Sequence, residues 1–494
     1  MRCSGILMHI SSLPGPYGIG TMGAQAYKFV DFLKASGQHL WQTLPLTPTG
    51  YGDSPYQSCS AFAGNHYLID LDLLIEEGLL EQSDLEGIRW CNRDEKVDFG
   101  LLYNHRLEIL RRAYIRAAKC ADLRREIQCF ARENESWLQD YALFMALKDR
   151  NGGKPWYHWE DGVKFRRKDA MIMAILEEQE AINFYCFVQF LFFRQWNALH
   201  AYANGQGVKI IGDVPIYVLL DSVEVWSNPE LFELDERLDP VSVAGCPPDG
   251  FTAEGQLWGN PLYRWDVHEE QGYSWWLTRM AAAGTMYDMV RVDHFRGFEA
   301  YWAVPFGDKT ARNGKWVKGP GISFVKALKN GLPELNLIAE DLGFLTQDVL
   351  DLRNASGWPG MKVLQLAFDP KEPSNYLPHT YVHNSVCYTG THDNMTMRQW
   401  FDTAAEEEIT CAVDYMALTA QEGYVWGAIR VALASVSDIC IIQMQDYLEL
   451  GAEARMNFPG TQSDSNWTWR VKDGIINEDL AKKIRKLSGI YGRI

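Results

Sequence analysis

An arginine and an aspartate alternate with valines in the segment MVRVDHFRG, residues 289–297. Because alternate side chains of a strand share one face, we expect Arg291 and Asp293 to point the same way. A carboxylate beside a guanidinium stays ionised at neutral pH, which is the state that the nucleophile of a glycosidase requires. A purely structural arginine–aspartate pair fits this segment equally well, so the assignment depends on what lies nearby.

Two further carboxylates follow apolar runs. Glu340 ends the run in NLIAEDLG, residues 336–343, where a carboxyl group beside a second one could hold a raised pKa and protonate a leaving glycosidic oxygen. The alternative is a helix-capping acid, a role for which Asp341 is better placed. Asp393 follows His392 in CYTGTHDN, residues 387–394. Structural need alone rarely produces three carboxylates at three such positions.

Short apolar runs separated by helix-length segments must position these groups. There are eight of them, and they cover residues 5–10, 40–46, 208–214, 288–293, 336–340, 361–368, 385–388 and 439–444. Repeated strand–helix units of this number predict an α/β protein with a TIM (β/α)8 barrel. In that fold the carboxyl ends of the strands meet at one rim, so Asp293, Glu340 and Asp393 are expected to lie together.

Two segments are too long to be simple crossovers. Residues 64–207 are rich in helix formers, for example in 107–118 and 181–204, and predict a helical insertion after the second strand. Residues 219–287 contain five prolines and several glycines, which favours ordered loops and short helices over the barrel mouth. We therefore expect a catalytic barrel of residues 1–63 and 208–494, and a helical subdomain of residues 64–207.

The composition limits the partners. The 494 residues carry a formal net charge of −17, which disfavours nucleic acid and anionic membrane surfaces as partners. No apolar run is long enough to cross a bilayer.

Aromatic residues make up 13% of the chain, which suits stacking on sugar rings but also serves a large core. The ten cysteines lack paired C-x-x-C spacing, so free thiols are expected. The first residues lack a secretory pattern, and we expect a cytoplasmic protein.

Several blocks spread over nearly the whole chain carry a specific resemblance. The R-x-DH, AEDLG and THDN blocks, in this order, are similar to those of the alpha-amylase superfamily. Further blocks narrow the resemblance to the amylomaltases, glycoside hydrolase family 77: LPLTP at 44–48, GDSPYQS at 52–58, SAFAGN at 60–65, GDVPIY at 212–217, GQLWGNP at 255–261 and Asn466-Trp467.

The resemblance implies a 4-alpha-glucanotransferase that needs no cofactor or metal. It transfers alpha-1,4-glucan segments, with glucose or another glucan as acceptor, by a retaining mechanism. It further implies that Asp293 is the nucleophile, Glu340 the acid/base and Asp393 the transition-state stabiliser. The residues around the sugar would be Arg291, His294, His392, Ser54, Tyr56 and Asp213. The resemblance also implies a lid loop near 245–260, with Asp249, Phe251, Gln256 and Trp258, over the acceptor side. Gly250 departs from the lid pattern, and Asn466 is preferred over Asn457 as a sugar contact.

Alternatives remain open at this stage. A hydrolase of the alpha-amylase type shares the first half-reaction, so the preference for transfer rests on the resemblance. The segment GIGTMG, residues 18–23, matches the dinucleotide-binding pattern, but the following strand ends without an acidic residue for a ribose hydroxyl. The segment HEEQG, residues 268–272, has glycine where a zinc-binding helix needs its second histidine. A catalytically silent glucan-binding protein is disfavoured by the three carboxylates.

Overall fold

The computed structural model describes residues 2–50, 52–248, 252–343, 345–371 and 374–494. Within them the chain forms twelve strands: β1 Cys3–Leu7, β2 Leu40–Gln42, β3 Lys209–Val214, β4 Ser242–Cys246, β5 Gln256–Pro261, β6 Met289–Val292, β7 Ala300–Pro305, β8 Lys315–Lys318, β9 Leu337–Ala339, β10 Gly360–Val363, β11 Ser385–Tyr388 and β12 Ile439–Gln443.

Eight of these strands close into a parallel barrel in the order β1-β12-β11-β10-β9-β6-β3-β2. Each of the eight apolar runs in the sequence contributes one barrel strand, so the predicted TIM barrel is confirmed. The strands have buried residues on both faces, as in β12, because side chains fill the interior and helices cover the outside.

The register of the strands determines which side chains meet at the rim. Asp213 of β3 pairs with Arg291 of β6, and Val292 of β6 pairs with Ala339 of β9. The residues that follow this second pair are Asp293 and Glu340, which therefore leave neighbouring strands at the same level.

The described residues also form eighteen α-helices: α1 Ala24–Ala35, α2 Leu71–Glu76, α3 Phe99–Ala117, α4 Ala121–Glu133, α5 Glu135–Arg150, α6 Asp161–Lys164, α7 Lys168–Glu177, α8 Gln179–Gly205, α9 Val223–Ser227, α10 Trp265–Glu270, α11 Ser274–Met286, α12 Gly321–Gly331, α13 Gln347–Ser356, α14 Met397–Thr403, α15 Glu406–Met416, α16 Tyr424–Ala434, α17 Met444–Tyr447 and α18 Glu478–Ile490. No helix among the described residues is both long and apolar enough to span a membrane.

Helices α2–α8 occupy the segment between β2 and β3, where the sequence predicts a helical insertion. The 27-residue α8 buries its aromatic side chains, including Phe187 and Trp196. Two glutamines of α8 tie the insertion to the chain that leaves β2, because Gln189 accepts from Gly64 N and Gln195 accepts from Asp70 N, both at 2.7 Å.

A second, antiparallel sheet has the strand order β5-β4-β7-β8. Loops and short helices were expected over 219–287, but this segment also supplies β4 and β5, so that expectation is incomplete. Both strands are short, β5 ends in Gly-Asn-Pro, and the register shifts between Val243 and Gly245. Such strands give no sustained alternation in the sequence.

The glycines of the segment 18–23 serve a tight loop. A Cβ atom on Gly20 would lie 1.9 Å from the Ile10 carbonyl oxygen, and one on Gly23 would lie 2.0 Å from an Asp70 carboxylate oxygen. Gly23 directly precedes α1, so the protein's own carboxylate stands where a dinucleotide phosphate would have to bind. The segment does not form a dinucleotide site.

Candidate active site

Arg291 joins two carboxylates at the carboxyl end of the barrel. Its Nη1 donates to both oxygens of Asp213, at 2.8 and 2.7 Å, and lies 3.0 Å from Asp293 Oδ1. The side chains of Arg291 and Asp213 are 4% and 0% exposed, whereas that of Asp293 is 29% exposed. Asp293 is therefore the carboxylate of this group that a ligand can reach.

Burial and charge act against each other in this group. Burial raises the pKa of Asp213, and the Arg291 guanidinium opposes that effect. Burial also works against the charge of Arg291, but Asp213 and Asp293 hold its pKa well above the ordinary value. Arg291 thus stays cationic and places its positive charge against Asp293.

Glu340 follows β9 and is fixed by two backbone donors. His294 N donates to its Oε2 at 2.7 Å, and Leu342 N donates to its Oε1 at 2.8 Å. Burial raises the pKa of Glu340 to about 7; Arg291 lowers it and the neighbouring Asp293 raises it. Each carboxyl oxygen keeps a second lone-pair direction, so the group can carry a proton near neutral pH and present it to a ligand.

Asp341 has a different role from the helix cap expected for it. Its carboxylate accepts from Arg353 Nη1 at 2.6 Å and from Met361 N at 2.7 Å. Helix α13 instead begins after Thr346. The helix-cap interpretation was wrong because the carboxylate joins α13 to the start of β10, a long-range contact that the local sequence does not indicate.

His294 and Trp258 form one side of the site. His294 lies in the left-handed region with φ 50°, and its ring stands edge-to-face with Trp258 at 4.8 Å. Burial lowers the pKa of His294 to about 4, so the ring is neutral, and its Nε2 has no hydrogen-bond partner in the described part of the chain. Gln256 Oε1 accepts from Trp258 Nε1 at 3.2 Å. The lid residues Asp249 and Phe251 lie outside the described residues.

Three aromatic rings line another side. Tyr56 stacks on His392 with ring centres 5.0 Å apart, and Trp467 lies 5.7 Å from Tyr56 and 5.9 Å from His392. The Tyr56 hydroxyl donates to Asp213 Oδ2 at 2.8 Å. Ser54 Oγ accepts from Tyr56 N at 3.3 Å and so braces the turn that presents this ring.

Asp393 lies beside these rings and is 42% exposed. Its Oδ1 accepts from Asn457 Nδ2 at 2.7 Å and lies 3.4 Å from His392 Nε2, and its carbonyl oxygen accepts from Arg455 Nη2 at 2.9 Å. Asn466 instead accepts from Phe458 N and donates to the Thr461 carbonyl. The structure thus brings Asn457, rather than Asn466, to the carboxylates.

Trp467 and Asn457 were not among the predicted site residues, although Asn466-Trp467 is a family-like block and Asn457 was weighed as a sugar contact. Trp467 has φ 65°, a left-handed conformation that no pattern indicates for tryptophan. Arg455 and Asn457 alternate in RMN, which fits an extended segment with both side chains on one face. That alternation was the available signal for Asn457.

Known proteins share these features along the whole chain. A family profile described as 4-alpha-glucanotransferase matches residues 8–477. A curated 4-alpha-glucanotransferase of Clostridium butyricum is 49% identical over 488 residues, covering 98% of this chain and 100% of that protein. One of Streptococcus pneumoniae serotype 4 is 46% identical over 498 residues, covering 100% and 98%.

Solved structures agree with these relatives. An amylomaltase from Streptococcus agalactiae in complex with acarbose superposes with a TM-score of 0.97 at 41% identity, covering 100% of both chains. An amylomaltase from Corynebacterium glutamicum, at 18% identity and a TM-score of 0.80, shares the fold over 99% of this chain and 75% of its own. The resemblance seen in the sequence is confirmed, and the chain belongs to the amylomaltase family of 4-alpha-glucanotransferases, glycoside hydrolase family 77.

Proposed function

We propose that this protein transfers alpha-1,4-glucan segments to the 4-hydroxyl of glucose or of another glucan, with Asp293 as nucleophile and Glu340 as general acid/base. One observation carries the assignment. Two acids, Asp293 and Glu340, follow paired residues of neighbouring barrel strands. Asp293 is a partly exposed carboxylate that contacts a buried arginine, and Glu340 is a buried carboxyl group that can be protonated. These are the two kinds of group that a retaining glycosidase mechanism requires.

In the first stage the Asp293 carboxylate attacks the anomeric carbon and forms a covalent glycosyl ester. The bond from that carbon to the glycosidic oxygen breaks, and Glu340 gives its proton to the departing oxygen. Arg291 holds Asp293 in an ion pair, and Asp393, held by Asn457, stabilises the oxocarbenium-like transition state.

In the second stage the Glu340 carboxylate takes the proton from the 4-hydroxyl of the incoming sugar. That oxygen attacks the anomeric carbon, the ester bond to Asp293 breaks, and Glu340 is again protonated. Two inversions leave the product with an alpha linkage. Both carboxyl groups return to their starting states, so the cycle needs no metal or redox cofactor.

The remaining sugar contacts belong to the same proposal. Tyr56, Asp213, Arg291, His294 and His392 would surround the reacting ring, with Ser54 supporting Tyr56. Gln256 and Trp258 would cover the acceptor side together with Asp249 and Phe251, and Asn466 would act through the loop it holds. The acarbose bound to the Streptococcus agalactiae relative supports a glucan-like ligand at such a site.

The setting of the protein is also proposed. The buried cysteines Cys3, Cys59, Cys186, Cys387 and Cys440 are free thiols, which supports a reducing compartment such as the cytoplasm. The net charge of −17 argues against nucleic acid and anionic membranes as partners. Helices α2–α8 support a subdomain of residues 64–207 attached to a barrel of residues 1–63 and 208–494.

The disproportionation of maltotriose tests the activity. The protein is expected to convert maltotriose into glucose and a ladder of longer maltooligosaccharides, which chromatography of the products resolves. The Asp293→Asn variant should form neither product. If the wild-type products are only glucose and maltose, the protein is a hydrolase and the proposal is wrong.

A further inference from the structure

The loop between β11 and α14 carries both His392 and Asp393. It is closed on itself by Asn394, whose Oδ1 accepts from the backbone nitrogen and the hydroxyl of Thr391, both at 2.9 Å. It is also held by the turn that follows β10, because Gln365 Nε2 donates to the Met395 carbonyl at 2.7 Å. The loop is therefore a compact unit, and its position depends on how its two ends are fixed.

One carboxylate reaches both ends of this loop. Asp446, in α17 directly after β12, accepts from Thr389 Oγ1 at 2.5 Å and from Met397 N at 2.7 Å. Asp446, Thr389 and Met397 are all fully buried. The two oxygens of a single rigid group thus fix the separation between the residue that leaves β11 and the residue that starts α14.

Capping of α14 does not by itself account for this acid. The hydroxyl of Thr396 already caps the helix by accepting from Gln399 N at 3.1 Å. Burial raises the pKa of Asp446 to about 7, and no basic side chain forms a hydrogen bond or an ion pair with its carboxyl group in the described part of the chain. Burying such a group without a cation is costly, and an apolar side chain would fill the space at less expense.

We propose that Asp446 is a positioning residue for the transferase reaction: it holds the 389–397 loop so that Asp393 and His392 face the reacting sugar. This proposal rests on the proposed role of Asp393. A displacement of a stabilising carboxylate by about 1 Å can cost on the order of a hundredfold in rate, so a clamp that never touches the sugar can still control kcat.

The test compares Asp446 with a second buried aspartate that has the same kinds of donors. Asp70 accepts from the Thr21 hydroxyl at 2.6 Å and from Leu73 N at 3.0 Å, but caps α2 in the helical insertion. Asp446→Leu, Asp446→Asn, Asp70→Leu and Asp70→Asn are assayed for kcat and KM with maltotriose at 25 °C, together with their thermal midpoints.

We expect Asp446→Leu to lower kcat by about tenfold to a hundredfold with KM within about threefold. Asp446→Asn should recover most of the loss, because its amide oxygen can accept from Met397 N and its nitrogen can donate to the Thr389 hydroxyl. Asp70→Leu should lower the thermal midpoint and leave kcat within about twofold. A kcat of Asp446→Leu no lower than that of Asp70→Leu would overturn the proposal.

Thr389→Val keeps the proposal testable if Asp446→Leu does not fold. It removes one of the two hydrogen bonds and preserves side-chain volume, and it should also lower kcat rather than raise KM. An unchanged kcat in a folded Thr389→Val protein would count against the clamp.

A double-mutant cycle with Asp393→Asn separates the clamp from the role of Asp393. With a maltotriosyl fluoride as donor, Thr389→Val should cost little in the Asp393→Asn background, because the group it positions is already lost. Multiplicative losses would overturn the positioning role alone. A near-fully active Asp393→Asn variant would overturn the role of Asp393 and the proposal that rests on it.

Discussion

At the scale of single residues, the site separates two carboxyl groups by their surroundings. Asp293 is partly exposed and forms an ion pair with Arg291. Glu340 is a neighbour of Asp293, but it is buried and accepts hydrogen bonds from backbone nitrogens. Burial raises the pKa of Glu340 to about 7. These surroundings suit the proposed roles of Asp293 as nucleophile and Glu340 as proton donor at the same pH.

This difference predicts the pH dependence of the first stage. Glu340 must be protonated to act as an acid, so kcat/KM for maltotriose should fall as the pH rises through about 7, by about tenfold per pH unit beyond it. Initial rates at low maltotriose concentration between pH 5 and pH 9 measure this fall, which is the alkaline limb of the pH profile.

An activated donor provides the control. Fluoride leaves without a proton, so the same alkaline limb should be absent from the glycosylation step with a glycosyl fluoride. An alkaline limb of equal size with both donors would show that Glu340 is not the group that titrates.

At the scale of elements, the hairpin of β4 and β5 brings Trp258 against His294, the residue that follows the proposed nucleophile Asp293. A large apolar ring there leaves less room for water beside the glycosyl ester, so it should favour sugar acceptors over hydrolysis.

Trp258→Ala is therefore expected to raise the hydrolysed fraction of turnovers severalfold. Transfer conserves the number of reducing ends and hydrolysis adds one, so the ratio of new reducing ends to released glucose measures that fraction. Trp316→Ala is a matched control, because Trp316 lies on β8 at the opposite edge of the same sheet. An unchanged ratio in Trp258→Ala would refute a water-excluding role for this ring.

The elements also show what the sequence could predict. The eight barrel strands were found because each is a short apolar run buried on both faces, and the alternation in 289–293 placed Arg291 with Asp293. The strands β4 and β5 were missed because they are short and irregular. The contacts of Asp393 with Asn457, and of Asp446 with Thr389, join segments separated by 64 and 57 positions, and no local pattern encodes them.

At the scale of the whole molecule, Arg493 closes the barrel at the end opposite the site. It is fully buried and donates to the backbone carbonyls of Cys3, Leu433, Ser435 and Ser437 at 2.7 to 3.1 Å. These carbonyls lie at the start of β1, at the end of α16 and in the segment that leads from α16 to β12, so one guanidinium joins the regions where the first and last strands of the closed sheet begin.

Arg493→Met should therefore destabilise the fold by about 2–4 kcal/mol, because it leaves several buried carbonyls without donors. The thermal midpoint should fall by several degrees, while kcat at 25 °C stays within about twofold because the catalytic rim is distant. Lys486→Met, on the exposed face of α18, should change neither. A midpoint of Arg493→Met equal to that of Lys486→Met would contradict this role.

The most direct test of the whole account is to trap the glycosyl ester in the Glu340→Gln variant. A maltotriosyl fluoride should still glycosylate Asp293, because its leaving group needs no proton, and the ester should accumulate because its breakdown lacks a general base. Mass spectrometry after brief exposure is expected to show one maltotriosyl unit on the peptide that contains Asp293. The double variant with Asp293→Asn and Glu340→Gln should carry no maltotriosyl unit. A label on Asp213, Asp393 or any other carboxylate would contradict the account.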